Sequence, residues 1–151
     1  MITFQEEQFQ DCIDEGLPLL LNHYKEVALD QNLIPLDIDF DGYLALQSIG
    51  RLFILTVRDG GKLIGYQSVI VGPSLHYKTT IFGDTDIFYV SPNRRGGMIG
   101  KMLFLETEKR LKSRGVTKVL VDHKLHIHPY IGKILEHIGY QKIEHRYAKT
   151  L

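Results

Sequence analysis

Apolar residues recur at spacings of three and four along the first part of the chain. From Phe4 to about Ala28 this spacing, in a stretch rich in helix-forming residues, predicts an α-helical region. Gly16 and Pro18 interrupt the pattern, because glycine is a poor helix former and an internal proline removes a backbone hydrogen bond. We therefore expect two helical pieces here, with the break near these two residues.

The middle of the chain has the pattern of a strand-rich region. After a polar stretch at 30–41, apolar and alternating runs bounded by glycine-containing turns indicate strands. The elements predicted are a helix at 42–49, strands at 52–58 and 63–71 joined by a hairpin turn at 59–62, and a strand at 80–90. Gly72, Pro73 and Ser74 are expected to end the second of these strands.

Helices and strands alternate after residue 90. Residues 99–114 are strongly amphipathic, with basic residues in the later turns and Gly115 at the carboxyl end, as is typical of a helix. The remaining predicted elements are a strand at 116–121, a short helix at 130–137 closed by Gly139, and at least one strand or hairpin at 140–148. This order predicts a mixed α/β fold in one domain spanning residues 1–151.

The composition is typical of an ordinary soluble domain, and the charge balance limits the classes of partner that it is expected to bind. The 151 residues are 44% apolar and 24% charged, which is enough to form a core without disulfides or metals. Lys plus Arg and Asp plus Glu number 18 each, and this balance argues against nucleic acid or an anionic membrane as partner. Cys12 is the only cysteine, and no signal-peptide or membrane-spanning pattern is seen, so a cytoplasmic location is expected.

The charges are distributed unevenly along the chain. Residues 1–75 contain 4 basic and 11 acidic residues, whereas residues 76–151 contain 14 basic and 7 acidic ones. Such asymmetry would provide one face for a cationic group and another for an anionic group, if the fold brings the two halves around a cleft. A chance distribution is an equally open interpretation.

The segment from Ser91 to Lys101 joins the strand that ends at Val90 to the amphipathic helix. Pro92 ends the strand, the glycines allow tight turns, and the first N–H groups of the helix point outward from its amino end. Arg94 and Arg95 add positive charge, so a phosphate or pyrophosphate is the expected ligand. The segment lacks the patterns of nucleoside-triphosphate and dinucleotide loops. A glycine-rich turn with solvated arginines is the alternative.

This segment resembles the acetyl-CoA loop of the GNAT superfamily of N-acetyltransferases. That loop reads Arg or Gln, two residues, Gly, one residue, then Gly or Ala; Arg95 matches its first element and Gly100 its last. Met98 stands at the central glycine position. Either Gly96 and Gly97 supply the flexibility one residue earlier, or the cofactor binds more weakly than in typical members.

The resemblance extends beyond this loop. The strand end at Val90–Pro92, the helix up to Gly115 and the turn at Leu135–Tyr140 look like family features, so the similarity covers about residues 52–148. It implies a central mixed, mostly antiparallel sheet flanked by about four helices, and the chain looks most like small stand-alone enzymes of bacteria and bacteriophages. It also implies that acetyl-CoA is the co-substrate, bound by Tyr89, Val90, Arg95, Gly96, Gly97, Met98, Ile99, Gly100 and Lys101.

The resemblance further implies where the catalytic base lies. In the family the base is often a carboxylate on the strand before the cofactor loop, which corresponds to Asp86, and Asp84 is expected on the same face. Two such carboxylates raise one another's pKa, since like charges disfavour joint ionisation. A solvated or ion-paired couple is the alternative. A backbone N–H near Tyr89 or Val90 would contact the thioester carbonyl.

The general acid departs from the family pattern. Members often place a tyrosine five residues before the aromatic residue of the closing turn, and this chain has Leu135 there. Tyr130 is the first substitute, and His126 and His128 are the others, because a phenol or an imidazole can deliver a proton. Alternatively no residue acts as the acid, because a thiolate is a tolerable leaving group that solvent can protonate.

Two patterns that suggest metals are incomplete. His123, His126 and His128 follow a strand at a spacing that does not easily converge on one tetrahedral ion. Residues 37–42 copy the first half of a calcium loop, but Ser48 stands where a bidentate glutamate is required. We therefore predict no metal. The carboxylates of this acidic loop could instead contact a cationic acceptor, or form a solvated loop that caps a helix.

The sequence thus predicts an enzyme that transfers the acetyl group of acetyl-CoA directly to a primary amine, without a covalent intermediate. The alternative is a catalytically weak or inactive protein of the same fold that binds another protein, as Met98 and Leu135 suggest. The acceptor stays open among protein lysines, protein amino termini, polyamines, antibiotics and amino acids. A homodimer that pairs exposed edge strands is a further possibility.

Overall fold

The computed structural model describes residues 1–151 as one five-stranded sheet with four α-helices. The strands are β1 (Ile2–Glu6), β2 (Leu52–Asp59), β3 (Lys62–Ser74), β4 (Tyr77–Val90) and β5 (Lys118–Leu120), and the helices are α1 (Phe9–Val27), α2 (Phe40–Ser48), α3 (Ile99–Ser113) and α4 (Tyr130–His137). The strands lie side by side in chain order, and every neighbouring pair is antiparallel except β4 and β5. The predicted mixed, mostly antiparallel sheet with about four helices is confirmed. No helix combines the length and apolar character needed to cross a membrane.

The amino-terminal region differs from the prediction in two ways. Residues 2–6 form β1, which pairs antiparallel with β2 and which the helical pattern concealed because only five residues alternate. The two predicted helical pieces are wrong, since α1 is a single helix that contains Pro18. Its buried face, which includes Phe9, Cys12 and Gly16, packs against the sheet and outweighs the hydrogen bond that the proline removes.

The sequence predicted the β2–β3 hairpin correctly, but it did not predict the full length of the β3–β4 hairpin. The β2–β3 turn has positive φ at Gly60 (57°) and Gly61 (87°), as a two-residue turn of this kind requires. The predicted end of β3 at Gly72–Ser74 is wrong, because β3 and β4 form one long hairpin. The register shifts between Gly72 and Ser74, so Pro73 lies at an irregularity where no ladder hydrogen bond is needed from it.

The carboxyl-terminal third contains less strand than predicted. Helix α4 and the positive φ of Gly139 (103°) are confirmed, but β5 has only three residues. Residues 140–148 form no strand, so that prediction is wrong. Nearly all side chains there are exposed, so the alternation of apolar and polar residues has no buried face to stabilise a strand.

Helices cover both faces of the central strands, which explains the unbroken apolar run of β2. On one face, α3 packs in a cluster that includes Phe53, Leu55, Val57, Val69, Leu103 and Leu111. On the other face, α1 and α2 pack in a cluster that includes Phe9, Cys12, Leu52 and Ile54. The carboxyl end of β4 therefore emerges between two packed layers, and the predicted site residues follow it.

Candidate active site

The carboxyl half of β4 has a strand partner on one side only. Strand β5 pairs with β4 at residues 82–84, whereas β3 pairs with β4 as far as Val90. From Thr85 onward, the backbone N–H and C=O groups that face away from β3 therefore meet no further strand. An extended ligand can pair with such an edge in the way that an added strand does.

Asp86 occupies a β-bulge in this half of the strand. Ser68 pairs with Ile87 and Val69 pairs with Thr85, so Asp86 is an extra residue without a partner in β3. A bulge bends the strand and redirects a side chain. The Asp86 carboxylate points to the α1–α2 face, where its Oδ2 accepts hydrogen bonds from Tyr43 (2.5 Å) and Ser68 (3.5 Å).

Asp84 lies on the same strand with different neighbours. Partial burial raises the pKa of its carboxyl group, and the carboxylate of Asp122 raises it further. Arg146, which forms an ion pair with Asp122 (2.8 Å), acts in the opposite direction. Asp86 contributes less to the raised pKa of Asp84 than burial and Asp122 do, so repulsion between the two aspartates is a minor cause of this shift.

The loop before α3 presents free backbone N–H groups to solvent. The N–H groups of Gly96, Gly97 and Met98 donate no hydrogen bond within the protein, and the first turn of α3 follows directly. Gly96 adopts the left-handed region (φ 85°), whereas Met98 has an ordinary helical conformation. The left-handed position of this loop is therefore Gly96, two residues before Met98.

The surface of this loop is open. Nothing lies within 4 Å of the position that a Cβ atom would take at Gly96, Gly97 or Gly100. The Met98 side chain is 60% exposed, so it points into solvent and is not packed over the helix end. A phosphate group can approach these backbone N–H groups without displacing protein atoms.

The guanidinium group of Arg95 is bound within the protein. Its Nε donates to the carbonyl of Val90 (2.7 Å), its Nη1 and Nη2 donate to the two carboxylate oxygens of Glu26 (2.6 and 2.9 Å), and it lies over the ring of Tyr89 (5.1 Å). Arg95 therefore ties the loop to α1. Its charge is compensated by Glu26, so it adds less positive potential to the loop than the sequence suggests.

The other two cations of the loop differ from each other. Arg94 forms an ion pair with Asp59 of β2 (2.6 Å), which compensates its charge as well. Lys101, in the first turn of α3, forms no ion pair and is half-buried. The uncompensated positive charge at this helix end therefore comes from Lys101 and from the helix dipole.

Tyr130 joins the cluster around Arg95. Its hydroxyl group lies 3.2 Å from Nδ1 of His128, and Nε2 of His128 contacts the Glu26 carboxylate that holds Arg95. Arg95 and His128 lower the pKa of Glu26, whereas burial opposes them. The side chains of His128 and Glu26 thus link Tyr130 to Arg95 in the loop before α3, and Tyr130 makes no contact with Asp86. His126 is exposed and takes no part in this cluster.

The sequence pattern did not single out His23, Tyr43 and Tyr66, which also lie in this region. His23 on α1 stacks on Tyr89 (5.0 Å between ring centres), and its Nδ1 lies 3.1 Å from the hydroxyl group of Tyr66. Burial lowers the pKa of His23 to about 4, so its ring is neutral at pH 7. The helical spacing that puts His23 on the apolar face of α1 could have identified it as a buried residue.

A cavity of about 250 Å³ lies between α1, the segment before α2, and the sheet. Most of its lining is apolar, and the lining residues include Phe9, Cys12, Ile13, Gly16, Leu20, Leu36, Ile38, Tyr43, Ile54, Leu63, Tyr66 and Ile87. Ser68 and Tyr43, the two donors to Asp86, also line it. The Asp86 carboxylate therefore lies at the border of this cavity, on the strand that leads to the open loop.

Comparison with models of known protein families identifies one family that matches this chain. The model of the acetyltransferase (GNAT) family matches residues 17–145. Among curated proteins, no relative of the chain is found.

Solved structures share the fold over nearly the whole length of both chains. A ribosomal-protein-alanine N-acetyltransferase from Brucella melitensis biovar Abortus 2308 has a TM-score of 0.72 at 21% identity, over 100% of this chain and 99% of that one. An aminoglycoside acetyltransferase from an uncultured soil metagenomic sample has a TM-score of 0.74 at 13% identity, with 99% and 97% covered. A predicted acetyltransferase with acetyl-CoA from Clostridium acetobutylicum has a TM-score of 0.68 at 15% identity, with 99% and 96% covered.

Proposed function

Because the chain belongs to the acetyltransferase (GNAT) family and uses acetyl-CoA as co-substrate, we propose that it transfers the acetyl group directly to a primary amine, without a covalent enzyme intermediate. The observation that carries this proposal is the continuity between the unpaired side of β4 and the open amino end of α3. One surface then offers backbone partners for an extended chain and, at its end, N–H groups for an anion.

The residues proposed to hold acetyl-CoA fit such a molecule. The pyrophosphate is assigned to the loop N–H groups, the α3 dipole and Lys101, and the acyl-bearing arm to the side of β4 near Tyr89 and Val90. Arg95 is assigned a supporting role, because its side chain holds the loop against α1. The full proposed set is Tyr89, Val90, Arg95, Gly96, Gly97, Met98, Ile99, Gly100 and Lys101.

Asp86 is proposed as the general base. When acetyl-CoA supplies its thioester, the amine nitrogen bonds to the acetyl carbon as the carbon–sulfur bond breaks, the amine proton passes to Asp86, and the CoA sulfur takes up a proton. The donors Tyr43 and Ser68 fix the carboxylate at the border of the cavity. Asp84 is proposed to support Asp86 electrostatically, because it lies two residues away on the same strand, where burial first and neighbouring carboxylates second raise its pKa.

Tyr130 is proposed as the acid that protonates the leaving sulfur, with solvent as the alternative source. Its hydrogen-bonded position next to His128 and the Arg95 cluster supports a role at the cofactor loop. The cytoplasmic location, a homodimeric state and the kinship with bacterial or bacteriophage enzymes stay predictions from the sequence.

The decisive experiment separates binding from chemistry. Calorimetric titration with acetyl-CoA and with CoA is compared for the wild type, Gly100→Glu and Gly100→Gln. The position has open space around it, so both side chains fit, and only the glutamate repels a pyrophosphate. We expect Gly100→Glu to weaken binding about tenfold or more and Gly100→Gln to bind much more tightly than Gly100→Glu.

The chemistry is tested with Asp86→Asn in an assay of CoA release with a panel of amines. We expect kcat to fall about a hundredfold or more with acetyl-CoA binding unchanged, and Asp122→Asn to serve as the control for loss of one exposed carboxylate. Retained turnover would show that Asp86 is not the base. Absence of acetyl-CoA binding to the wild type would overturn the proposed function and favour the alternative of a protein-binding molecule.

A further inference from the structure

The cavity beside Asp86 has the walls of a site for an apolar molecule. Its lining is mainly aliphatic and aromatic, and its volume is about 250 Å³. In other proteins an apolar cavity of about 150 Å³ is enough to hold benzene. This cavity can therefore accept an aromatic ring or a short alkyl chain with room to spare.

The polar groups of the cavity lie in more than one place, and one of these places is beside Asp86. Tyr43 and Ser68 line the wall and donate their hydroxyl hydrogens to its Oδ2 atom. Asp37 and Asp39 line another part of the wall, and Asp39 already accepts a hydrogen bond from the N–H group of Gly42 (2.8 Å). A ligand with one cationic nitrogen at Asp86 is complementary to this arrangement.

The apolar part of the wall is unsuited to an acceptor with many polar groups. A sugar with many hydroxyl groups would leave its donors unpaired against aliphatic side chains. An apolar body loses no hydrogen bonds on entry and removes its own surface from water.

The segment that leads to the cavity lining is also apolar. Leu36 forms part of the lining, and Leu29, Leu33 and Ile34, which precede it in the chain, are exposed to solvent, with Leu33 69% exposed. Several exposed apolar side chains in a segment that enters an apolar cavity fit a binding surface.

We infer that, given the proposed function, the acceptor is a primary amine carried on a compact apolar body, an arylalkyl or alkyl amine with a single cationic group. The body enters the cavity and the ammonium group meets Asp86. Asp86 takes one proton from the ammonium group, and the freed lone pair of the nitrogen bonds to the acetyl carbon as the carbon–sulfur bond breaks. The nitrogen then loses its second proton, and the CoA sulfur takes one up. The product amide is neutral, so it loses its attraction to the carboxylate and can leave.

The first test compares amines of similar basicity and different polarity in the assay of CoA release. 2-Phenylethylamine and hexylamine are the apolar probes, and ethanolamine and spermidine are the polar ones. We expect kcat/KM for the apolar pair to exceed that for the polar pair roughly tenfold or more, as burial of several carbon atoms implies. Equal values, or a preference for ethanolamine or spermidine, would overturn the inference.

The second test fills the cavity from α1. A Cβ atom at Gly16, which lines the cavity, would meet only Leu63 Cδ2, at 4.0 Å, so Gly16→Leu puts its side chain into the space. We expect KM for 2-phenylethylamine to rise about tenfold or more, with KM for acetyl-CoA unchanged. Gly16→Ala is the matched control, since it adds one methyl group and should keep most of the activity. If Gly16→Leu does not fold, Leu20→Trp fills the same cavity from a half-buried position.

The two proposals fail in different ways. Turnover of spermidine or ethanolamine alone, with acetyl-CoA bound, would overturn the acceptor class and leave the acetyltransferase assignment intact. An unchanged KM for 2-phenylethylamine in a folded cavity-filling variant would also overturn the acceptor class. Lack of acetyl-CoA binding would overturn the function itself.

Discussion

His23 is held neutral by its place among aromatic rings. It stacks on Tyr89 and shares a hydrogen bond with the hydroxyl group of Tyr66, while burial lowers its pKa from 6.5 to about 4. Its charged neighbours act more weakly, with Glu26 raising the pKa and Arg95 lowering it. Folding therefore requires this ring to stay unprotonated.

This requirement makes the stability of the protein depend on pH. Below about pH 6.5 the unfolded chain takes up a proton on His23, whereas the folded protein resists protonation down to about pH 4. The stability contributed by the neutral ring is thus complete above pH 6.5 and is lost as the pH falls toward 4, by an amount on the order of 2 kcal/mol.

We expect His23→Gln, which keeps a hydrogen-bonding side chain without a titratable group, to show a smaller loss of stability than the wild type between pH 7 and pH 4.5. Urea unfolding at the two pH values measures both losses, and the comparison cancels the carboxylates common to the two proteins. Equal losses in both would show that His23 does not control this pH dependence.

Single residues also show the limits of the sequence analysis of the site. The family resemblance singled out Asp86 on the strand before the loop, and its role as the base stays a prediction; the structure adds that Asp86 lies in a β-bulge. Tyr43 and His23 were missed because they reach the site from helices, and only the packing of those helices brings them to β4. The compensation of Arg95 by Glu26, across a separation of 69 residues, was equally invisible in sequence spacing.

At the scale of elements, the best predicted parts are those whose pattern matches a full buried face. Strand β2 and helix α3 contribute most of one core cluster, and both were predicted within a residue or two. Strand β1 was missed because it is a short edge strand. Tertiary packing decided the rest: it kept α1 continuous through Pro18 and left residues 140–148 without a strand.

The loop before α3 depends on one backbone conformation. Gly96 has a φ of 85°, which costs other residues roughly 1–2 kcal/mol, whereas Gly97 has an ordinary φ and open surroundings. We expect Gly96→Ala to weaken acetyl-CoA binding by up to about tenfold, and Gly97→Ala to weaken it less. Calorimetric titration of both variants measures the difference. Equal effects would mean that the conformation at Gly96 does not organise the loop.

At the scale of the whole molecule, the uneven charge of the two chain halves connects them. The acidic residues Glu6, Glu26 and Asp59 of the first half form ion pairs with Arg114, Arg95 and Arg94 of the second half, respectively. The sequence suggested separate faces for cationic and anionic ligands. In the structure, part of this asymmetry is used to join the halves to each other.

The Glu26–Arg95 pair is the least exposed of these three links, with about a fifth of each side chain accessible (22% and 21%). Glu26→Gln leaves Arg95 without its counter-charge, and we expect a loss of about 1–3 kcal/mol in the free energy of unfolding. Asp59→Asn breaks two more exposed pairs, with Arg94 and with the amino group of Met1, and should cost less because both are screened by solvent. Urea denaturation of both variants measures the two losses, and an equal or reversed order would contradict this ranking.

The unpaired side of β4 also has a consequence for association with other protein chains. A free strand edge at the rim of a sheet is a template on which other chains can grow, and many proteins blunt such edges to stay apart. Here the free stretch begins at Thr85, directly after the three residues of β4 that pair with β5. A ligand that binds along this stretch would also cover a strand edge that could otherwise pair with another chain.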